Sequence, residues 1–502
     1  MAESNGNAGG GIAASQLAFD FSLLDALPVK VSNLAIDSRN VQPGDVFLAY
    51  PGETADGRRF IPQAVAAGAA AVLWEPKAFN WQNEWLVPHL AVPGLRGKAG
   101  LIAAEVYGHP SRHLWTVGIT GTNGKSSCSH WLAQALSSCG RKSAVMGTLG
   151  NGFPGALTPT PNTTPDPVAL QKRLGEYLAA GAQSVAMEVS SHALAQGRVN
   201  GMQFDVALFT NLSRDHLDYH GDMESYARAK SALFAWPQLK HAVLNFDDPF
   251  AAELEQRAKR AGAQVLRYGF DAGQVRGDDL RVSPHGLIFS VSTPWGEARV
   301  ESGVLGRFNA SNLLGVLATL LVTGVSLDQA VQALRGLQPV PGRMQQMRLP
   351  GKPLVVVDYA HTPDALEKVL ITLREVVKDS KAAAVASQLV CVFGCGGQRD
   401  KGKRPIMGDV ASRLADSVIV TSDNPRNEDP RAIIDDIVGG MAANYHVIED
   451  RAAAIDHAIR HARPDDVVLI AGKGHEDYQE IAGRKLPFSD LEVATRSLEV
   501  WK

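Results

Sequence analysis

The densest chemistry in this chain lies in Ile119-Thr120-Gly121-Thr122-Asn123-Gly124-Lys125-Ser126-Ser127. An apolar run over 114–119 precedes it, and a helical pattern over 127–136 follows. A strand, a glycine-rich turn, Gly-Lys-Ser and a helix make a phosphate cradle, because backbone N–H groups and a helix N-terminus attract an anion. Lys125 adds a mobile positive charge, and the Ser126 hydroxyl can ligate Mg²⁺. The spelling departs from the common phosphate-loop pattern: Ile119 stands where a first glycine is expected. With these flanks the motif still points to a nucleoside triphosphate.

Other polar clusters follow apolar runs. Glu188 closes one and leads into Val189-Ser190-Ser191-His192. A carboxylate at a strand end beside a phosphate loop suits Mg²⁺; a solvated or capping carboxylate is the alternative. The stretch from Asn211 through Asp215, His216 and Asp218 to His220 is crowded with polar groups, which makes a metal role credible for His216. Lys230, by itself, reads as an ordinary helix-surface lysine. Further on, Asp358-Tyr359-Ala360-His361-Thr362-Pro363, Asp423-Asn424-Pro425-Arg426 and Gly472-Lys473-Gly474-His475-Glu476 each end a predicted strand. Arginine in a fixed turn suits bidentate recognition of a carboxylate. Gly472 and Gly474 permit close backbone approach. Three polar turns at strand ends in one block read as a binding face.

The elements that position these groups fall into three blocks. Residues 1–113 carry short strands, a helix over 61–67 and a strand over 70–74, after a Gly/Ala/Ser/Asn-rich stretch, 1–15, that reads as a frayed tail. Residues 114–340 hold buried-strand runs at 184–189, 206–210 and 242–244, with helical patterns at 168–180 and 223–233 between them. Residues 341–502 alternate strands at 354–357, 389–393, 417–421 and 467–470 with helices such as 365–377. Alternation of this kind predicts an α/β chain of three domains. The central one is a phosphate-loop domain on a mainly parallel sheet, and the last is a smaller doubly wound, Rossmann-like sheet. Ligands in such sheets gather outside the strand C-termini, where the motifs lie.

Composition narrows the class. The chain has 502 residues, 45% apolar and 20% charged, with a net charge of −3. That balance fits a soluble globular protein and gives no strong pull toward nucleic acid or an anionic membrane. No apolar run is long enough to span a bilayer. Cysteine is sparse, which suggests a reducing compartment; Cys391 and Cys395 read as core and turn residues rather than a metal pair.

Taken together, the motifs resemble the Mur ligase family of peptidoglycan synthesis. Thr120 to Ser126, Asn162-Thr163-Thr164-Pro165, Glu188 to His192, Asp215-His216-Leu217-Asp218 and Asp358 to Pro363 occur in family order, and the likeness covers nearly the whole chain beyond the tail. The resemblance implies an ADP-forming amide ligase acting in peptidoglycan precursor synthesis, with ATP and Mg²⁺. Its implied ATP contacts are Gly121, Thr122, Asn123, Gly124, Lys125, Ser126, Ser127, Asn309, Arg343, Asp358 and His361. Its implied contacts to a UDP-muramoyl peptide are Ser38, Asn162, Thr163, Thr164, Ser190, Gln196 and Arg198. Ser126, Glu188, His216 and Lys230 would serve the metal, Lys230 as the family's carbamylated lysine (N6-carboxylysine). Lys125, Lys230 and His216 would carry the catalysis. Ser126-Ser127 replaces a commoner Thr-Thr and keeps the hydroxyls, whereas Gln398 stands where Asp is expected and weakens any role there.

Within the family, Asp423-Asn424-Pro425-Arg426 is associated with meso-diaminopimelate as the amino acid added to the D-Glu of UDP-N-acetylmuramoyl-L-alanyl-D-glutamate. Arg426 with Arg399 would pair its carboxylates, and Glu476 would take an ammonium, with Asp423, Asn424, Pro425 and Gly472 shaping the site. Lysine would leave a guanidinium unpaired, and rejection on the order of 10⁴-fold follows from such pairing. The rival readings are a lysine-adding relative, a folylpolyglutamate synthase and a non-catalytic nucleotide-binding scaffold. Arg426 argues against the first, the set around Asn162 and Arg198 against the second, and intact Lys125, Glu188 and His216 against the third. A monomer working on small molecules in the cytoplasm is expected, without nucleic acid or membrane insertion.

Overall fold

The computed structural model of this protein describes residues 18–53, 55–160, 162–283, 286–379, 387–442 and 444–501; the tail reading of 1–15 lies outside them. Near the N-terminus, four parallel strands pair in chain order: β1 (Leu34–Ala35), β2 (Val46–Ala49), β3 (Ala71–Trp74) and β4 (His89–Ala91). The alanine-rich helix falls at Ile61–Ala66. A second helix, Leu95–Val106, packs against helix Pro167–Ala179 of the next domain. The two domains approach closely there: a Cβ on Gly100 would lie 2.0 Å from the Asn200 carbonyl oxygen.

The central sheet has eleven strands among the described residues: β5 (Trp115–Thr120), β6 (Ser143–Gly147), β7 (Gly150–Phe153), β8 (Ala156–Thr158), β9 (Ser184–Glu188), β10 (Val206–Phe209), β11 (His241–Asn245), β12 (Gln264–Gly269), β13 (Val275–Ser283), β14 (Gly286–Thr293) and β15 (Gly296–Ser302). Their order is β15-β14-β13-β12-β11-β10-β5-β9-β6-β7-β8. The parallel middle strands are buried on both faces, which is why they read as unbroken apolar runs. β5 lies between β10 and β9. The sequence reading did not foresee the antiparallel ribbons β6–β8 and β13–β15 at the two ends. They face solvent on one side, so β14 alternates buried and exposed positions and carries no continuous apolar run.

The C-terminal sheet comprises β16 (Gln345–Met347), β17 (Leu354–Asp358), β18 (Leu389–Phe393), β19 (Ser417–Val420), β20 (Tyr445–Val447) and β21 (Val467–Ala471), in the order β16-β17-β21-β18-β19-β20. Only β16 runs antiparallel to its neighbour. Helices Pro363–Asp379, Lys403–Leu414 and Pro430–Val438 cover one face, and Arg451–His461 with Asp490–Glu499 cover the other. This is the doubly wound arrangement expected. A separate hairpin, β22 (Tyr478–Ile481) and β23 (Arg484–Pro487), follows β21.

Candidate active site

β5 ends at Thr120 and the following helix, Lys125–Ser138, begins two residues earlier than its apolar pattern. Lys125 and Ser126 therefore stand in its first turn. Ile119 is fully buried in the strand between Glu188 and Leu208, so the absent first glycine is a core position and the turn starts at Gly121. Gly121 (φ +151°) and Gly124 (φ +86°) take conformations that side chains resist; a Cβ on Gly121 would fall 1.9 Å from Thr210 Oγ1. Beyond β10, Thr210 Oγ1 donates to the Asn123 carbonyl (2.6 Å), and Asn211 Oδ1 accepts from Asn123 N (3.0 Å). Lys125 Nζ folds back onto the carbonyls of Gly121 (2.9 Å) and Thr122 (2.8 Å). Burial lowers its pKa, with Glu188 and Asp215 opposing.

This loop opens into a cavity of about 770 Å³ between the central and C-terminal domains. Residues 122–127 line its floor, with Asn162, Thr163, Glu188 and Ser190 to one side. Arg198, His216 and Lys230 also face it, and Arg343, Asp358, His361 and Arg399 come from the far domain. Glu188 is held by Thr148, whose backbone N–H donates to Oε1 (2.8 Å) and whose hydroxyl donates to Oε2 (3.2 Å). Arg343 Nη2 donates to Ser126 Oγ (3.0 Å) and stacks over Tyr359. Burial pushes the Asp358 carboxyl up to about 6, although Arg343 and the Met344 N–H oppose it.

Lys230 corrects the sequence reading. It lies on helix Met223–Ser231, yet it is 1% exposed, not a surface residue. Its Nζ donates to the Gly121 carbonyl (2.7 Å) above the Tyr226 ring. Burial drives its pKa well down, and the Lys125 charge adds to this. The helix turns this position inward against the phosphate loop, which depends on tertiary packing that a nine-residue pattern does not carry.

Asp215 is a functional group the sequence reading named only within its motif. His216 Nε2 lies 3.3 Å and His361 Nε2 3.8 Å from its Oδ2. Burial would raise its pKa, but the Lys403 charge and the His216 backbone N–H, which donates to its Oδ1, hold it low. Burial also keeps both imidazoles neutral, His361 down to about 4, so their nitrogens can accept a proton or a metal. Among the described residues no three His, Cys, Asp or Glu side chains are already arranged around a metal ion. Mg²⁺ at a phosphate needs fewer: one or two carboxylates with water and phosphate oxygens suffice. Glu188 and the Ser126 hydroxyl are hard oxygen donors on the same cavity, so the residues fit that ion.

Several expected residues stand behind the wall. Asn309 Nδ2 donates to the Leu305 carbonyl, and its Oδ1 accepts from Asn312 Nδ2 (3.0 Å); it is Asn312 that faces the cavity. Gln196 Oε1 accepts from Arg198 Nε (2.8 Å), and Thr164 O accepts from Arg198 Nη1 (3.0 Å), so both orient that arginine. Ser38 bonds Gln63 in the N-terminal domain, away from the cavity lining.

The motifs after β19 and β21 form an adjoining cluster. Lys473, fully buried, donates to Asn424 Oδ1 (2.9 Å) and Glu476 Oε2 (3.0 Å) and lies 3.5 Å from Asp423. The ammonium foreseen for Glu476 is thus already partly supplied by this lysine, three residues before it in the same motif. A Cβ on Gly472 would lie 2.9 Å from Asp423 Oδ2, and one on Gly397 2.0 Å from the Pro425 carbonyl oxygen. Arg426 Nη1 donates to the Gly397 carbonyl (2.7 Å). Gly396 separates Arg426 from Arg399, which reaches the main cavity. Arg451, fully buried against Asp490, donates to the Ala471 and Ser422 carbonyls and so ties the ends of both strands together.

A phosphate loop on one α/β domain, facing the strand ends of a second across a shared cavity, defines a three-domain phosphate-loop protein with its site at the domain junction. The chain belongs to the Mur ligase family. Residues 30–107 match the Mur ligase family catalytic domain, 119–320 the Mur ligase middle domain and 342–474 the Mur ligase glutamate ligase domain. It is 56% identical over 485 residues to the UDP-N-acetylmuramoyl-L-alanyl-D-glutamate--2,6-diaminopimelate ligase of Chromobacterium violaceum, covering 96% of this chain and 97% of that one. The enzyme of the same name from Nitrosomonas europaea is 51% identical over 492 residues, with 95% and 94% covered. A solved structure of a ligase of that name superposes with a TM-score of 0.66 at 39% identity, covering 93% of this chain and 95% of that one.

Proposed function

We propose that this chain is an ATP-dependent amide ligase that joins meso-2,6-diaminopimelate to the D-Glu of UDP-N-acetylmuramoyl-L-alanyl-D-glutamate, releasing ADP and phosphate. One observation carries the reading: Lys125, Ser126 and Glu188 of the central domain and Arg399 of the C-terminal domain line a single cavity. Residues 1–113 take the uridine end, 114–340 the ATP phosphates and 341–502 the incoming amino acid. The enzyme works as a cytoplasmic monomer on small molecules; no helix among the described residues is long and apolar enough to cross a membrane.

ATP transfers its γ-phosphoryl group to the side-chain carboxylate of D-Glu, giving ADP and an acyl phosphate. The diaminopimelate amine attacks the acyl carbon and gives up a proton. The tetrahedral adduct then collapses to the amide and expels phosphate. Lys125 leaves its loop carbonyls for the phosphoryl oxygens, where its charge offsets theirs. Mg²⁺, when bound, would screen the phosphoryl charge; Ser126, Glu188, His216 and carbamylated Lys230 would hold it. A neutral Lys230 amine can add to CO₂ and lose a proton, becoming an anion with two ligating oxygens. Asn162, Thr163, Ser190 and Arg198 hold the muramoyl peptide, and Arg399 with Arg426 hold diaminopimelate carboxylates.

The test is ADP release with ATP, Mg²⁺ and the UDP-muramoyl dipeptide, adding meso-diaminopimelate or L-lysine in parallel. Release with diaminopimelate alone is expected. Release with lysine would overturn the specificity, and silence with both would overturn the ligase reading.

A further inference from the structure

We infer that Glu480 is a specificity-determining positioning residue: its carboxylate holds the Arg426 guanidinium where it reads the amino-acid substrate. The inference rests on the amino-acid site proposed above. Glu480 Oε2 lies 3.2 Å from Arg426 Nε, with the two side chains only 26% and 18% exposed. An ion pair this sheltered is screened less than one on the surface. The Gly397 carbonyl takes one guanidinium donor, Nη1, and the Glu480 carboxylate lies beside Nε. Together they fix where the cationic head lies.

The backbone makes the same connection. Arg426 N donates to the Glu480 carbonyl (2.9 Å), and Ala482 N donates to the Arg426 carbonyl (2.7 Å). Glu480 N donates to Asn424 Oδ1 (2.9 Å), and Gln479 Nε2 to the Asp423 carbonyl (2.7 Å). The β22–β23 hairpin thus grips the 423–426 turn along its length. Arg426 needs this support, because it sits at φ +54°, a left-handed conformation that side-chain-bearing residues rarely adopt. Charge adds a second reason. Arg426 and Arg399 flank Gly396, where a built Cβ would lie 2.9 Å from Arg426 Nη1 and 3.8 Å from Arg399 Cγ. With two arginines rooted this close, the Glu480 carboxylate offsets the charge of one while leaving the other for the ligand. Partners of this kind, one step removed from the ligand, are worth roughly 10–100-fold when removed, by analogy with supports of metal ligands.

The experiment is steady-state kinetics on full-length Glu480→Ala and Glu480→Gln, with Arg426→Ala beside them. Glu480→Ala should raise the KM for diaminopimelate about tenfold. Its kcat and its KM values for ATP and the UDP-muramoyl dipeptide should stay within about twofold. Glu480→Gln, which keeps the length but loses the charge, should stay impaired. A wild-type KM for diaminopimelate in Glu480→Ala, while Arg426→Ala is impaired, would overturn the inference. Equal losses for all three substrates, or full rescue by glutamine, would also overturn it. Unimpaired diaminopimelate use by Arg426→Ala would instead remove the amino-acid site itself.

Discussion

At the scale of single residues, the phosphate loop concentrates two lysines on one carbonyl. Lys125 and Lys230 both donate to Gly121 O, and neither can keep a normal pKa so deeply buried. Among the described residues no carboxylate forms an ion pair with Lys230, so burial beside Lys125 favours its neutral amine, the form that reacts with CO₂ to make a metal-ligating carbamate. Intact-protein mass on gently handled, active enzyme should show a labile adduct of one CO₂ that is absent from Lys230→Ala. An active enzyme without it would exclude the modification.

At the scale of elements, the turn between β5 and helix Lys125–Ser138 leaves little room for a side chain at its two glycines. A Cβ on Gly124 would lie 2.5 Å from Asn312 Oδ1. Gly124→Ala should therefore raise the KM for ATP by tenfold or more, combining about 1–3 kcal/mol of backbone strain with a displaced Asn312. Gly140 serves as the control: its φ is also left-handed, at +83°, but nothing lies within 4 Å of a Cβ there. Gly140→Ala should lower thermal stability and spare ATP use. Equal KM values in the two variants would mean that contact at Asn312 contributes nothing.

At the scale of the whole molecule, the C-terminal domain is fastened to the phosphate loop. Asp364, in the first turn of its helix, accepts from Asn123 Nδ2 (2.8 Å) and Ser213 Oγ (3.3 Å) across the junction. Asp364→Ala should speed limited proteolysis in the connecting segment 338–344; unchanged cleavage would show that these bonds do not hold the domains. Acid should loosen the entire chain. Burial lowers His130, His220 and His361 to about 4 and His475 to about 3, so each binds a proton more readily when unfolded. Stability then falls as pH drops from 6.5 toward 3 and levels off below. Asp358, raised to about 6, works the other way between 6 and 3.8, but it is one carboxyl against four imidazoles. The Tm at pH 4.5 should lie below that at pH 7; an equal or higher Tm would mean that these histidines are not buried neutral.

How much was legible beforehand follows the range of the forces involved. The phosphate loop, the parallel strands at 184–188, 206–209, 354–358 and 467–471, and the polar turns behind them are local: burial on both faces, glycine at left-handed φ, and charge at strand ends leave marks over a few residues. So does the Asp-Asn-Pro-Arg turn. The sequence by itself therefore determined the α/β class, the three blocks and the residue types offered to a nucleotide and an amino acid. Only the tertiary structure decided that Lys230 is buried on Gly121, that Asn312 rather than Asn309 meets the cavity, that Lys473 already partners Glu476, and that Glu480 braces Arg426. Each joins residues through packing, where one turn of helix rotation or one hairpin contact changes the partner, and no pattern within a single element encodes that choice.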